Sequence, residues 1–195
     1  MLICVLRSWG VMMRFEWVEF VVDDDMKRLA SDYVCGLEKA LKNKGLRNRF
    51  NSDWRENNLV GFVGELVFKK FLDGLGGVSY DWNVVVGCAD DYDFLVCGKR
   101  VDVKTCLRNF PVGSIGDNFR LMVCDAQVGL HADFYFWVLL EGVSFGCVRR
   151  AFLVGGMSAE RVGCFPVVDK SFGRTRWVGV DEVVCPNDFL FCLGD

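Results

Sequence analysis

Proline and histidine are scarce in this chain, with three prolines and one histidine among 195 residues. Together with 52% apolar and 25% charged residues, so little proline excludes a disordered chain and reads as globular. The lone histidine, His131, gives no support to a site built from several histidines or to a Ser-His-Asp triad, and reads as structural or surface. No CxxC occurs among the ten cysteines, which removes the spacing a zinc knuckle or ribbon needs. Cys88, Cys97, Cys106 and Cys124 lie scattered along apolar segments, where free cysteine acts as a small hydrophobe.

Excess charge of one sign is missing too. A net charge of −3 argues against a protein that coats DNA by charge alone, while leaving room for an enzyme whose acidic metal ligands offset a local basic face. Long apolar runs are absent. Residues 1–22 are apolar but carry Arg7, Arg14, Glu16 and Glu19, so no stretch of about 18 apolar residues forms a membrane span or a clean signal core. The expectation is an intracellular protein with no membrane association. Met12 or Met13 is a candidate start, because residues 14–22 alternate like a first strand and residues 1–10 show no pattern. Gly74-Leu75-Gly76-Gly77 lacks a dinucleotide or P-loop pattern and reads as a turn.

Valine, phenylalanine and glycine are plentiful, which favours a sheet with tight turns. Asp23, Asp24 and Asp25 supply caps for a helix whose apolar face is Met26, Leu29, Ala30, Tyr33, Val34, Leu37 and Leu41, ending near Lys44-Gly45. A basic stretch follows from Arg47 to Arg55. Asn57 or Asn58 then caps a second helix reaching about Asp73. Strands are predicted over 82–86, 92–96, 100–105 and 134–140, with weaker ones near 120–124 and 147–154. A short helix is expected at 156–161, a loop or edge strand at 174–178, and a strand-like tail. No repeat or linker divides the chain. One α/β domain over 1–195 is the economical reading, with its core at about 23–141 and accessory strands and loops at 142–195.

The chemistry concentrates in Tyr92-Asp93-Phe94-Leu95-Val96-Cys97-Gly98-Lys99-Arg100-Val101-Asp102-Val103-Lys104-Thr105. Gly98-Lys99 fits a type II′ turn, which sets Cys97 against Arg100, Leu95 against Asp102 and Asp93 against Lys104. Asp93, Asp102 and Lys104 then share one face, and Phe94, Val96, Val101 and Val103 fill the other. Asp93 and Asp102 become diagonal neighbours about 7–8 Å apart at the backbone, close enough for their tips to share a cation. In the preceding helix, Leu59-Val60-Gly61-Phe62-Val63-Gly64-Glu65-Leu66-Val67-Phe68 is apolar except for Glu65, a carboxylate costly to bury without a partner or cation. Gly61 and Gly64 each cost about 1 kcal/mol of helix propensity, and a close helix–sheet approach would explain keeping them.

GFVGELVF followed by YDFLVCGKRVDVKT resembles the PD-(D/E)XK nuclease superfamily, in the order helix glutamate, strand aspartate, DxK. The resemblance is tight over about 57–105 and looser through Ala132-Asp133-Phe134-Tyr135-Phe136-Trp137 and Leu153-Val154-Gly155. It is greatest to the compact versions encoded by phages and archaeal viruses, which would place the protein in a host cytoplasm. Tyr92 stands where the superfamily motif has proline. The resemblance implies a restriction-endonuclease-like core with a mixed central sheet flanked by helices, and a DNA phosphodiesterase, most simply an endonuclease. It implies Mg²⁺ or Mn²⁺ held by Asp93, Asp102, the Val103 backbone carbonyl and Glu65, directly or through water. Lys104 would orient or deprotonate the attacking water. Gln127 occupies a region where relatives sometimes place a helper residue.

Lys39, Lys42, Lys44, Arg47, Arg49 and Arg55 cluster before the second helix; of these Lys42, Lys44, Arg47, Arg49 and Arg55 are the DNA-backbone candidates, against an ordinary solvated helix end. Arg149, Arg150, Arg174 and Arg176 are candidates for an opposite wall. A homodimer is compatible with this reading. Two other classes stay open: a non-catalytic nucleic-acid-binding or assembly protein of the same fold, and an iron–sulfur exonuclease prompted by Cys185 and Cys192.

Overall fold

The computed structural model describes residues 17–43, 52–84, 92–116, 118–171 and 173–193; for 52, 53 and 190–193 only the backbone is described. Strand β1 (Val18–Val21) leads into helix α1 (Asp24–Asn43), and helix α2 (Ser52–Leu75) precedes the meander β2 (Tyr80–Trp82), β3 (Phe94–Val96) and β4 (Lys99–Arg108). The chain continues through β5 (Arg120–Cys124), β6 (Phe134–Glu141), β7 (Arg150–Ser158), α3 (Ala159–Gly163), β8 (Val167–Lys170), β9 (Gly173–Gly179) and α4 (Pro186–Leu193).

Six strands form a mixed sheet in the order β1-β7-β6-β4-β3-β2, in which β4 and β6 run parallel and the other neighbours antiparallel. Alternation along β4 and β6 divides the core. Val101, Val103, Phe136, Val138 and Leu140 face one side, against Val60, Val63, Val67 and Phe68 of α2 and Met26 and Ala30 of α1. Tyr135, Trp137 and Leu139 face the other, where Leu121, Val123 and Val178 of a second sheet, β5-β9-β8, and Ala159 and Val162 of α3 cover them. The structure is therefore mixed α/β, with helices packed on its central sheet. No helix among the described residues is long and apolar enough to cross a membrane.

Local physics accounts for the helices. Asp23 caps α1: its Oδ1 accepts from Met26 N at 2.9 Å, and that bond holds the carboxyl below its usual range. The approach of α2 to the sheet is closest at Gly64, where a Cβ would lie 1.8 Å from Thr105 Oγ1. Gly61 would meet nothing within 4 Å, so close approach explains one of the two glycines.

Several elements differ from expectation. Helix α2 begins at Ser52, ahead of Asn57 and Asn58; Asn58 instead turns its amide back onto the Trp54 carbonyl at 2.7 Å. The short helix expected from Gly156 begins at Ala159, capped by Ser158, and Gly156 belongs to β7, where the Phe189 ring occupies the space of its missing Cβ and Val184 O that of Gly155. Residues 173–179 form the middle strand of the smaller sheet, not a loop or an edge. The tail is the helix α4, with Pro186 at its first position, where a missing N–H costs nothing, and Phe189 N bonded to Cys185 O at 2.9 Å. Strands β1 and β7 and the buried Phe189 extend the core beyond the expected 23–141.

Candidate active site

The hairpin turns at Cys97-Gly98, not Gly98-Lys99. Both residues have positive φ, 49° and 78°, as a type I′ turn requires, and the pairs are Val96 with Lys99, Leu95 with Arg100 and Phe94 with Val101. The register thus differs by two residues from the expected one. A shift of two preserves every side-chain face, so hydrophobic alternation alone does not distinguish the two registers. The backbone conformation of the turn does.

The shift changes the partner of Asp93. It lies just before β3; its N–H donates to Val101 O at 3.1 Å, and its Oδ2 accepts from Val103 N at 2.6 Å. Asp102 sits between those two contacts. Asp93 therefore stands at Asp102 instead of facing Lys104, and its carboxylate takes over a ladder position that a β3 carbonyl would otherwise fill. Beyond this point β3 no longer pairs with β4. The Val103 carbonyl points to the same edge as its N–H, past the last β3 pair.

Lys104, two residues along the same face, places Nζ 2.7 Å from Asp102 Oδ2 and donates to Gln127 Oε1 at 3.2 Å. Both ionic side chains are about one-fifth exposed. The ammonium also lies 5.7 Å from the centre of the Tyr135 ring. Burial, reinforced by the negative charge of Asp102, pushes the Tyr135 hydroxyl up to about 12, so it remains a donor at neutral pH and binds Gln127 O at 2.8 Å.

Glu65 is half-buried next to the Gly64–Thr105 contact. Its Oε2 accepts from Trp82 Nε1 at 3.1 Å, and the indole is itself stacked on Phe94 at 6.0 Å and packed on Phe62. Sequence reasoning missed Trp82. Its signal was a donor-bearing aromatic on the strand next to the hairpin. Arg100, on the same face as Asp102, is engaged by Asp133 through two guanidinium bonds and its own backbone N–H, and this holds the Asp133 carboxyl below its usual range.

The structure therefore gathers Asp93, Asp102 and Lys104 at one end of the β3–β4 hairpin, with Gln127 and Tyr135 behind the lysine. It sets Glu65 against Trp82 from the helical side. Among the described residues, no three acidic, histidine or cysteine side chains stand close enough to hold an ion together. The donor set still suits a hard cation: two carboxylates and a main-chain carbonyl, with no sulfur or imidazole. Magnesium keeps several waters and commonly takes only one or two carboxylates besides substrate phosphates.

Of the basic candidates, Lys44, Arg47 and Arg49 lie outside the described residues. Lys42 is exposed in the last turn of α1, and Arg55 stands 4.0 Å from Glu38. Of the arginines expected to form an opposite wall, Arg149, Arg150 and Arg174 are exposed and Arg176 is partly buried, and each has a partner within the chain. Arg150 grips Glu141 and Glu19, Arg176 grips Asp125, and Arg149 donates to the carbonyls of Gly146 and Val148. Cys185 donates to Asp188, and the Cys192 side chain lies outside the described residues.

No protein-family profile matches the chain, and no curated protein or solved structure matches it.

Proposed function

We propose that the protein is a metal-dependent nuclease that hydrolyses DNA phosphodiester bonds, most simply as an endonuclease, with a restriction-endonuclease-like core. The observation that carries this reading is that the Asp93 carboxylate accepts from the N–H of Val103, the residue between Asp102 and an anchored Lys104, at the point where β3 leaves β4. The topology supports it: α2 packs on the antiparallel meander β2-β3-β4, which is followed by β6 parallel to β4. The crossover through residues 109–133 departs from a simple βαβ unit, since β5 and short 3-10 turns replace a long helix.

Asp93, Asp102 and the Val103 carbonyl would hold Mg²⁺ or Mn²⁺, with Glu65 joining directly or through water. The ion would supply Lewis acidity at the phosphate. The chain's own contribution is then plain. Asp102 and Gln127 hold the Lys104 ammonium beside the carboxylates, where it can orient water and stabilise charge on a phosphate oxygen. Trp82 fixes the Glu65 side chain. Lys42, Lys44, Arg47, Arg49 and Arg55 would track the DNA backbone.

The test is cleavage of linear, circular, single-stranded and branched DNA in Mg²⁺, with and without chelator. Wild-type protein should cleave at least one substrate only with metal, and Asp102→Ala should abolish cleavage while keeping the thermal transition. Wild-type rates in Asp102→Ala, with contaminating nuclease excluded, would reject the assignment. A second reading rests on the same bonds. Asp102 neutralises Lys104 and Asp93 completes the ladder at Val103 N, which also suits a non-catalytic nucleic-acid-binding protein. DNA binding without metal-dependent cleavage would select it.

A further inference from the structure

A lysine ammonium ends a flexible four-carbon stem and carries three rotatable donors, so one ion pair leaves its position poorly defined. Lys104 has a second anchor in Gln127, which rides on the 3-10 turn Asp125–Gln127 directly after β5. That turn contains only three residues, one partly buried and two exposed, so something other than its own hydrogen bonds must hold it.

Contacts from both sheets do so. Tyr135 Oη donates to Gln127 O at 2.8 Å from the central sheet. From the smaller sheet, Arg176 Nε donates to Asp125 Oδ1 at 2.8 Å, and Arg174 Nη2 approaches Asp125 Oδ2 at 3.5 Å. Arg176 is fixed in turn, since its Nη1 donates to Gly163 O and Phe165 O, both at 2.6 Å, at the end of α3 and just beyond it. Arg176 and Asp125 are each about one-fifth exposed, so their pair is shielded more than a surface ion pair. A continuous chain of bonds thus runs from the loop after α3 through Arg176, Asp125 and the turn to Gln127 and the Lys104 ammonium.

We propose that Arg176 and Asp125 are positioning residues that set the Lys104 ammonium through Gln127, making the smaller sheet a brace for the site. The catalytic consequence rests on the nuclease reading above; the mechanical one does not. The brace also explains why a cationic side chain on β9 faces inward rather than toward a ligand.

The experiment measures the rate at which an amine-acylating reagent modifies Lys104, read by peptide mapping with Lys69 on α2 as internal reference, alongside single-turnover cleavage. Arg176→Gln and Asp125→Asn should each raise Lys104 modification several-fold over wild type with Lys69 unchanged. Cleavage should fall about tenfold, within the range that a small misplacement of a reacting group produces. Arg176→Lys, which keeps the charge and loses the fork, should fall between. Adding Arg176→Gln to Gln127→Ala should cost nothing further, because both act on one path. Lys104 reactivity unchanged in folded Arg176→Gln and Asp125→Asn, or cleavage losses that multiply in the double variant, would overturn the brace. If wild-type protein cleaves no DNA, the nuclease reading fails, and Lys104 reactivity alone decides whether the brace exists.

Discussion

Glu65 shows how a single carboxylate can sit in an apolar helix segment. The Trp82 indole supplies a donor at 3.1 Å, and stacking on Phe94 keeps that donor in place. Glutamine at position 65 keeps an oxygen that accepts from the indole and loses only the charge. Glu65→Gln is therefore expected to leave the melting temperature nearly unchanged while slowing cleavage most at limiting Mg²⁺; full activity across that range would give Glu65 a purely structural task. Tyr135 carries a pH signature. Its hydroxyl titrates near 10 in the unfolded chain and at about 12 in the fold, through burial first and the Asp102 charge second. The raised value means that its contribution to stability is fully present below pH 10 and is lost as pH rises from 10 toward 12. Tyr135→Phe should lack this alkaline loss, so its denaturant midpoint should converge on that of wild type over this window. A constant gap between the two would show that the hydroxyl does not titrate with folding.

Among the elements, the contact between α2 and β4 positions the site, because it sets the helix bearing Glu65 against the strand bearing Asp102 and Lys104. Gly64→Ala would drive a methyl to 1.8 Å from Thr105 Oγ1. It should destabilise the protein by about 1–3 kcal/mol, the usual cost of overpacking, and Thr105→Ala in the same chain should recover much of that loss. Equal destabilisation with and without the threonine side chain would place the effect elsewhere. The helix periodicity, the Asp23 cap and the faces of the hairpin were legible in the sequence because each follows from local spacing. The hairpin register was not, since a two-residue slip leaves all buried residues buried and the choice falls to positive φ at Cys97. The tail was misread because a short apolar run such as residues 189–193 fits either a strand or a helix, and the deciding partners, Gly155 and Gly156, lie about thirty residues away in β7.

At the scale of the whole molecule, the two faces of the central sheet do different work. The helical face supplies Glu65 and most of the aromatic core, while the opposite face carries Asp102 and Lys104 and meets the smaller sheet. The candidate site residues were proposed from the sequence by their chemistry. Their supports, Trp82, Asp125 and Gln127, Tyr135 and Arg176, come from four different segments, and only long-range pairing brings them together. Gln127 was singled out as a helper without a placement; the structure sets it on Lys104. The central claim is that Lys104 acts in chemistry and does not merely neutralise Asp102. Single-turnover cleavage by Lys104→Met, on a preparation whose Mg²⁺ and DNA binding are measured in parallel, tests it most directly. Methionine keeps much of the stem and removes the charge and all three donors. Binding should persist while cleavage falls by at least about a hundredfold, the lower end of general acid–base contributions; cleavage at nearly the wild-type rate would contradict the claim and leave Lys104 as the ion-pair partner of Asp102 alone.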